Sequence, residues 1–201
     1  MLIKICGLTT EADAAHAAAA GAGALGVIFA PGSPRRISAD RARDIVRAVP
    51  ADVPVVGVFV DAPLEEIVAT VAHSGIRWVQ LHGEEPESVA AALKMPLLRA
   101  TGVDVAIDAW PTATLLLDAV SSAARGGTGT RVDWDRAAAI ARRRKTVLAG
   151  GLTPDNVTAA IATVRPYGVD VSSGVEASPG RKDHDKVARF VANATRAWRV
   201  Q

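Results

Sequence analysis

The chain has 201 residues, 49% hydrophobic and 22% charged, a composition that excludes a disordered protein and suits one folded domain spanning residues 1–201. Its 23 basic and 21 acidic side chains are interspersed, so no nucleic-acid face is expected. A single cysteine excludes a disulfide framework and any cysteine-based zinc or iron–sulfur site.

The opening Met1-Leu2-Ile3-Lys4-Ile5-Cys6 lacks the charged lead and long apolar run of a signal peptide. Every later apolar stretch is broken by Gly, Pro or charge before the ~18 residues that a membrane span needs. The expectation is a soluble, cytoplasmic protein, in which a lone thiol is safe. With only eight aromatic residues, the core must be built from small aliphatic contacts.

Strand-like runs recur at Leu2–Cys6, Leu25–Phe29, Pro54–Val60, Arg77–Leu81, Pro96–Ala100, Thr114–Leu117, Thr146–Ala149 and Gly168–Val171. Between them apolar positions follow a helical period, as in Ala42/Ile45/Val46/Val49, Leu64/Ile67/Val68/Val71 and, after the last strand, Val187/Phe190/Val191/Ala194/Trp198. Ser38, Pro63 and Thr153-Pro154 mark helix starts. The segment after Ala100 carries the weakest helical pattern. Arg142, Arg143, Arg144 and Lys145 read as a helix C-terminus, where cations suit the dipole.

Alternating strands and helices require a parallel sheet, because parallel neighbours need crossovers. Eight such units predict an α/β fold, a single-domain (β/α)8 TIM barrel; an open doubly wound sheet is the alternative. Gly21-Ala22-Gly23-Ala24-Leu25-Gly26 spells G-x-G-x-x-G, but it follows a helix and opens a strand. The dinucleotide fingerprint needs the reverse order, so it is read as a turn and no nicotinamide cofactor is expected.

In such a barrel the chemistry sits at the C-terminal ends of the strands. Gly150-Gly151 and Ser172-Ser173-Gly174 close the seventh and eighth strands, where bare backbone amides commonly hold phosphate; ordinary tight turns are the bland alternative. A phosphorylated small molecule is therefore the expected partner. Cys6 lies two residues after Lys4 and shares its strand face, and a nearby cation favours thiolate over thiol. Asp118 ends the sixth strand behind three leucines, and an apolar flank can keep a carboxyl group protonated. Thiolate and carboxylic acid together make a base–acid pair. Asp170 is placed to pair with Lys4 inside the barrel. His82 ends the fourth strand, where a structural hydrogen bond is as good a reading as a substrate contact. His16, His73 and His184 lack metal-ligand spacing, and no metal is expected.

The stretches Lys4-Ile5-Cys6-Gly7-Leu8-Thr9, Gln80-Leu81-His82-Gly83, Leu117-Asp118 with Gly126-Gly127-Thr128-Gly129 and Asp133-Trp134, Gly150-Gly151-Leu152-Thr153-Pro154-Asp155-Asn156-Val157, and Gly168 through Glu176 closely resemble phosphoribosylanthranilate isomerase. The resemblance runs in order from residue 2 to about residue 190. It implies a (β/α)8 enzyme of tryptophan biosynthesis that performs an Amadori rearrangement without a cofactor. It also implies that Asp118 protonates the furanose oxygen, that Cys6 removes the C2′ proton, and that Arg35 faces the anthranilate carboxylate. Arg36 directly follows Arg35 and competes with it for that role. The rival readings are a broader phosphosugar isomerase, a metal-dependent epimerase and a non-catalytic phosphosugar-binding barrel. Short loops favour a monomer over a homodimer, and the loop from Ala119 to Arg131 reads as a lid over the substrate.

Overall fold

In the computed structural model, which describes residues 1–119 and 132–200, eight parallel strands close on themselves. They are β1 (Leu2–Ile5), β2 (Ala24–Ile28), β3 (Val55–Phe59), β4 (Trp78–Leu81), β5 (Leu97–Thr101), β6 (Thr114–Leu117), β7 (Thr146–Leu148) and β8 (Gly168–Val171). Closure is made by β8 pairing with β1, from Leu2 opposite Gly168 to Ile5 opposite Val171. The barrel reading holds, and every predicted strand lies within two residues of its observed bounds.

Strand alternation sorts the side chains into two cores. Leu2, Ala24, Val56, Leu98, Leu116 and Val147 pack inside the barrel. Ile3, Ile5, Leu25, Val27, Leu115, Leu117 and Val169 point outward into the layer beneath the helices. Those helices are α1 (Glu11–Ala19), α2 (Ala39–Ala48), α3 (Leu64–Ser74), α4 (Glu87–Leu93), α5 (Trp134–Ala141), α6 (Val157–Val164) and α7 (His184–Arg199). Thr10, Ser38, Asp133 and Asp183 cap α1, α2, α5 and α7 by accepting backbone N–H groups of the first turn.

Two expectations are corrected. Seven α-helices, not eight, are present among the described residues, because the β5–β6 crossover forms turns instead of a helix. Trp110 there has φ +56 and precedes Pro111, a position that resists helical geometry. Arg144 binds this crossover from outside, donating to the carbonyls of Ile107, Ala109, Trp110 and Ala113 at 2.6–2.9 Å. The second correction is at α6, which begins at Val157 and not at Thr153-Pro154. Asn156 instead spans the preceding loop, accepting from the Thr153 amide at 2.8 Å and donating to the Gly151 carbonyl at 2.9 Å.

One element was not anticipated. Between β8 and α7 a 3₁₀ turn (Ser173–Val175) leads into a small antiparallel hairpin, β9 (Glu176–Ser178) and β10 (Arg181–Lys182). Among the described residues, no helix is long and apolar enough to cross a membrane.

Candidate active site

The C-terminal ends of the strands surround a cavity of about 690 Å³, within the range that encloses small ligands. Cys6, Arg35, His82, Asp118, Ser172 and Ser173 all line it. Gly150, Gly151 and Gly174 are not among its lining residues, although a Cβ on Gly150 would lie 3.2 Å from Asp118 Oδ1. A Cβ on Gly174 would lie 1.9 Å from the Leu152 carbonyl oxygen, so glycine lets the β8 loop press against the β7 loop. Ser172 Oγ, at the same edge, is buried and has no hydrogen-bond partner among the described residues.

Below the cavity Lys4 is wholly buried and donates to Asp170 Oδ1 at 2.8 Å. Its ammonium also interacts with the Cys6 side chain. Burial alone would push the ammonium down, but Asp170 and Cys6 outweigh it, and Lys4 stays charged. The expected ion pair is therefore present, and Lys4 favours the thiolate as expected, but burial outweighs it. Burial pushes the Cys6 thiol above its ordinary value; Lys4 opposes this, while Asp170, competing for the same cation, adds to it. At pH 7 Cys6 is therefore a thiol.

Asp118 stands at the end of β6, where Oδ1 accepts the Ala119 amide at 2.7 Å. Burial raises its carboxyl above the usual carboxylate range, and His82 opposes the rise. His82 Nε2 lies 3.6 Å from Asp118 Oδ2, too far for a hydrogen bond to a neutral ring. Burial lowers the His82 pKa, so the ring is neutral at pH 7. Gln80 Nε2 lies 3.1 Å from His82 Nδ1, which sets the ring from the barrel interior.

The β2 loop places the two adjacent arginines differently. Arg35 turns into the cavity, whereas Arg36 is exposed and its backbone bridges to Ile28. The Arg35 stem crosses Gly7, where a Cβ would lie 2.6 Å from Arg35 Cδ and the backbone has φ +75. Glycine alone serves both needs. Arg35 Nε and Nη2 each donate to Glu176 at 2.7 Å, a bidentate pair missed in the sequence, as was Lys182, whose Nζ donates to the same carboxylate at 2.9 Å. Both missed residues ride on the unanticipated hairpin, and only the Pro179-Gly180 turn between two polar runs hinted at it. Of the proposed lid, residues 120–131, with Ser121-Ser122 and Gly126–Gly129, lie outside the described residues.

The family model described as N-(5'phosphoribosyl)anthranilate isomerase matches residues 3–193. The chain belongs to this family. An N-(5'-phosphoribosyl)anthranilate isomerase of Geobacter sp. (strain M21) is 49% identical over 197 residues, covering 96% of this chain and 97% of the relative. The phosphoribosyl anthranilate isomerase from Thermotoga maritima superposes with a TM-score of 0.89 at 40% identity, covering 97% of this chain and 99% of that one. A further crystal structure superposes at 0.85 with 38% identity, over 97% of this chain and 98% of that one. It is of a phosphoribosyl anthranilate isomerase in complex with reduced 1-(o-carboxyphenylamino)-1-deoxyribulose 5-phosphate. Membership makes the chain an enzyme, an isomerase, and its strand-end cavity is where a family member's chemistry belongs.

Proposed function

We propose that the chain converts N-(5-phosphoribosyl)anthranilate to 1-(2-carboxyphenylamino)-1-deoxyribulose 5-phosphate in tryptophan biosynthesis, with Cys6 as general base and Asp118 as general acid. The observation that carries this reading is that a thiol and a carboxyl group kept protonated by burial line the same cavity. The related enzyme that holds the reduced rearrangement product supports the substrate class.

The Asp118 carboxyl gives its proton to the furanose oxygen as the C1′–O bond breaks, and the nitrogen lone pair closes a C1′=N bond. The Cys6 thiolate then takes the C2′ proton, and the freed electron pair forms an enolamine with a neutral nitrogen. The enol hydroxyl loses a proton, C1′ gains one, and the ketone results. Protons are only moved, so the chain's own acid and base suffice. The charged Lys4 beside Cys6 stabilises the thiolate when it forms. A raised thiol pKa makes that thiolate scarcer at neutral pH but a stronger base toward carbon.

The backbone of Gly150, Gly151, Ser172, Ser173 and Gly174 holds the phosphate. Arg35 holds the anthranilate carboxylate, since a guanidinium matches that planar anion. His82 lies beside the acid. Turnover followed by loss of anthranilate fluorescence tests the reading: wild-type protein consumes the phosphoribosylanthranilate without added metal or cofactor. No turnover of that compound, with turnover of a different phosphosugar, would overturn it.

A further inference from the structure

We propose that Glu176 is a positioning residue that aims Arg35, with Lys182 as its anchor; this deepens the reading above and rests on Arg35 facing the substrate carboxylate. Glu176 grips Arg35 by Nε and Nη2, leaving Nη1 as the edge of the guanidinium not bound by that carboxylate. The Arg35 side chain lies on the cavity wall. An arginine on a loop carries much rotamer freedom, and a bidentate partner removes it before the ligand arrives.

The grip is itself held. Lys182 Nζ donates to Glu176 Oε1 at 2.9 Å and to the Ser172 carbonyl at 3.1 Å, tying the carboxylate to the end of β8. The Glu176 and Lys182 side chains are 5% and 0% exposed, so neither has water to turn to. Two cations and one carboxylate leave this cluster a net charge of +1, and Arg35 is its member on the cavity wall, where an anionic ligand group would meet it. Burial alone would raise the Glu176 pKa, but Arg35 and Lys182 hold it below the usual carboxylate range, so the grip stays charged throughout the neutral region.

The test uses two probes, the reduced rearrangement product and the same compound built on aniline, which lacks only the carboxylate. Glu176→Gln should weaken the carboxylate-bearing probe by roughly tenfold or more, as expected for a misdirected charged hydrogen bond, and the aniline probe by less than about twofold. In an Arg35→Ala background Glu176→Gln should cost nothing further. The double variant Glu176→Gln/Lys182→Met keeps the net charge at +1 and removes the stranded lysine, so it reports the same selective loss if the single variant fails to fold. Equal weakening of both probes, or an effect fully additive with Arg35→Ala, would overturn the positioning role. Wild-type protein binding both probes equally would instead refute the carboxylate reading of Arg35, and the inference with it.

Discussion

Gly26 on β2 leaves the space that the Cys6 thiol occupies. A Cβ at that position would lie 2.6 Å from Cys6 Sγ, 3.1 Å from Cys6 Cα and 3.1 Å from Lys4 Nζ. The glycine residue is thus part of the base's setting although it has no side chain. Gly26→Ala must displace the thiol or the strand. Overpacking of this kind typically destabilises by about 1–3 kcal/mol. We expect kcat to fall at least roughly tenfold, because displacement of about 1 Å can cost far more than the binding step shows. Thermal melting and steady-state kinetics measure the two effects, and an unchanged kcat would show that the thiol is not held in place by this contact.

Arg35 and Arg36 separate cleanly in their surroundings, so their alanine variants should separate in kinetics. Loss of a charged hydrogen bond at about 1.5–3 kcal/mol corresponds to roughly a 10- to 150-fold fall in kcat/KM for Arg35→Ala. Arg36 is exposed, and Arg36→Ala should stay within about twofold. Matched small effects would remove the carboxylate role.

The strands were legible because their β-branched and aliphatic runs end in glycine or charge, and the strand ends named Cys6, Asp118 and the two glycine-rich loops. Three things were not legible, for different reasons. The β5–β6 crossover lacks a helix, and what stabilises it is Arg144, thirty or more residues away in sequence. Glu176 and Lys182 belong to the site only through a hairpin too short to show a period. Lys4 favours the thiolate as expected, but burial and the nearby Asp170 charge outweigh it, quantities that spacing does not contain.

Arg144 should matter for stability and not for chemistry. Its four acceptors all lie in the helix-free crossover, and none of them belongs to a cavity-lining residue. Arg144→Ala leaves those carbonyls to water and should destabilise the fold by about 2–4 kcal/mol, with KM unchanged. Chemical denaturation beside KM checks both halves. A raised KM at full stability would mean the crossover serves the site.

An anion should locate the phosphate end. A crystal grown with sulfate or phosphate should show it against the amides of Gly150, Gly151, Ser173 and Gly174, with Ser172 Oγ gaining a partner. Ser172→Ala should then weaken inorganic phosphate binding by a few-fold, near the ~1 kcal/mol of a neutral hydrogen bond. An anion bound elsewhere in the mouth, with these loops empty, would move the phosphate end.

The pH profile is the sharpest check on the base and acid. The active form needs Cys6 deprotonated and Asp118 protonated, yet burial raises both groups and leaves the thiol well above the carboxyl. Below the Asp118 pKa, raising pH increases the thiolate while the acid stays protonated, so kcat/KM rises. Between the two values each gain in thiolate is matched by a loss of carboxylic acid, giving a plateau. Above the Cys6 pKa the thiolate is complete and only the acid is lost, so the rate falls. The wild-type profile should therefore be a broad bell, its limbs above the ordinary carboxylate and thiol values respectively. Positioned proton transfer contributes roughly 10²–10⁴-fold, and Cys6→Ser and Asp118→Asn should each lose about that much. The decisive feature is the shape left behind in Asp118→Asn. With no acid to lose, its residual rate should climb with pH across the wild-type plateau and then level off once the thiol is fully ionised, where the wild-type rate falls. A residual profile that still falls at high pH would assign the acid to another group, and Cys6→Ser retaining most of its activity would remove the thiolate base.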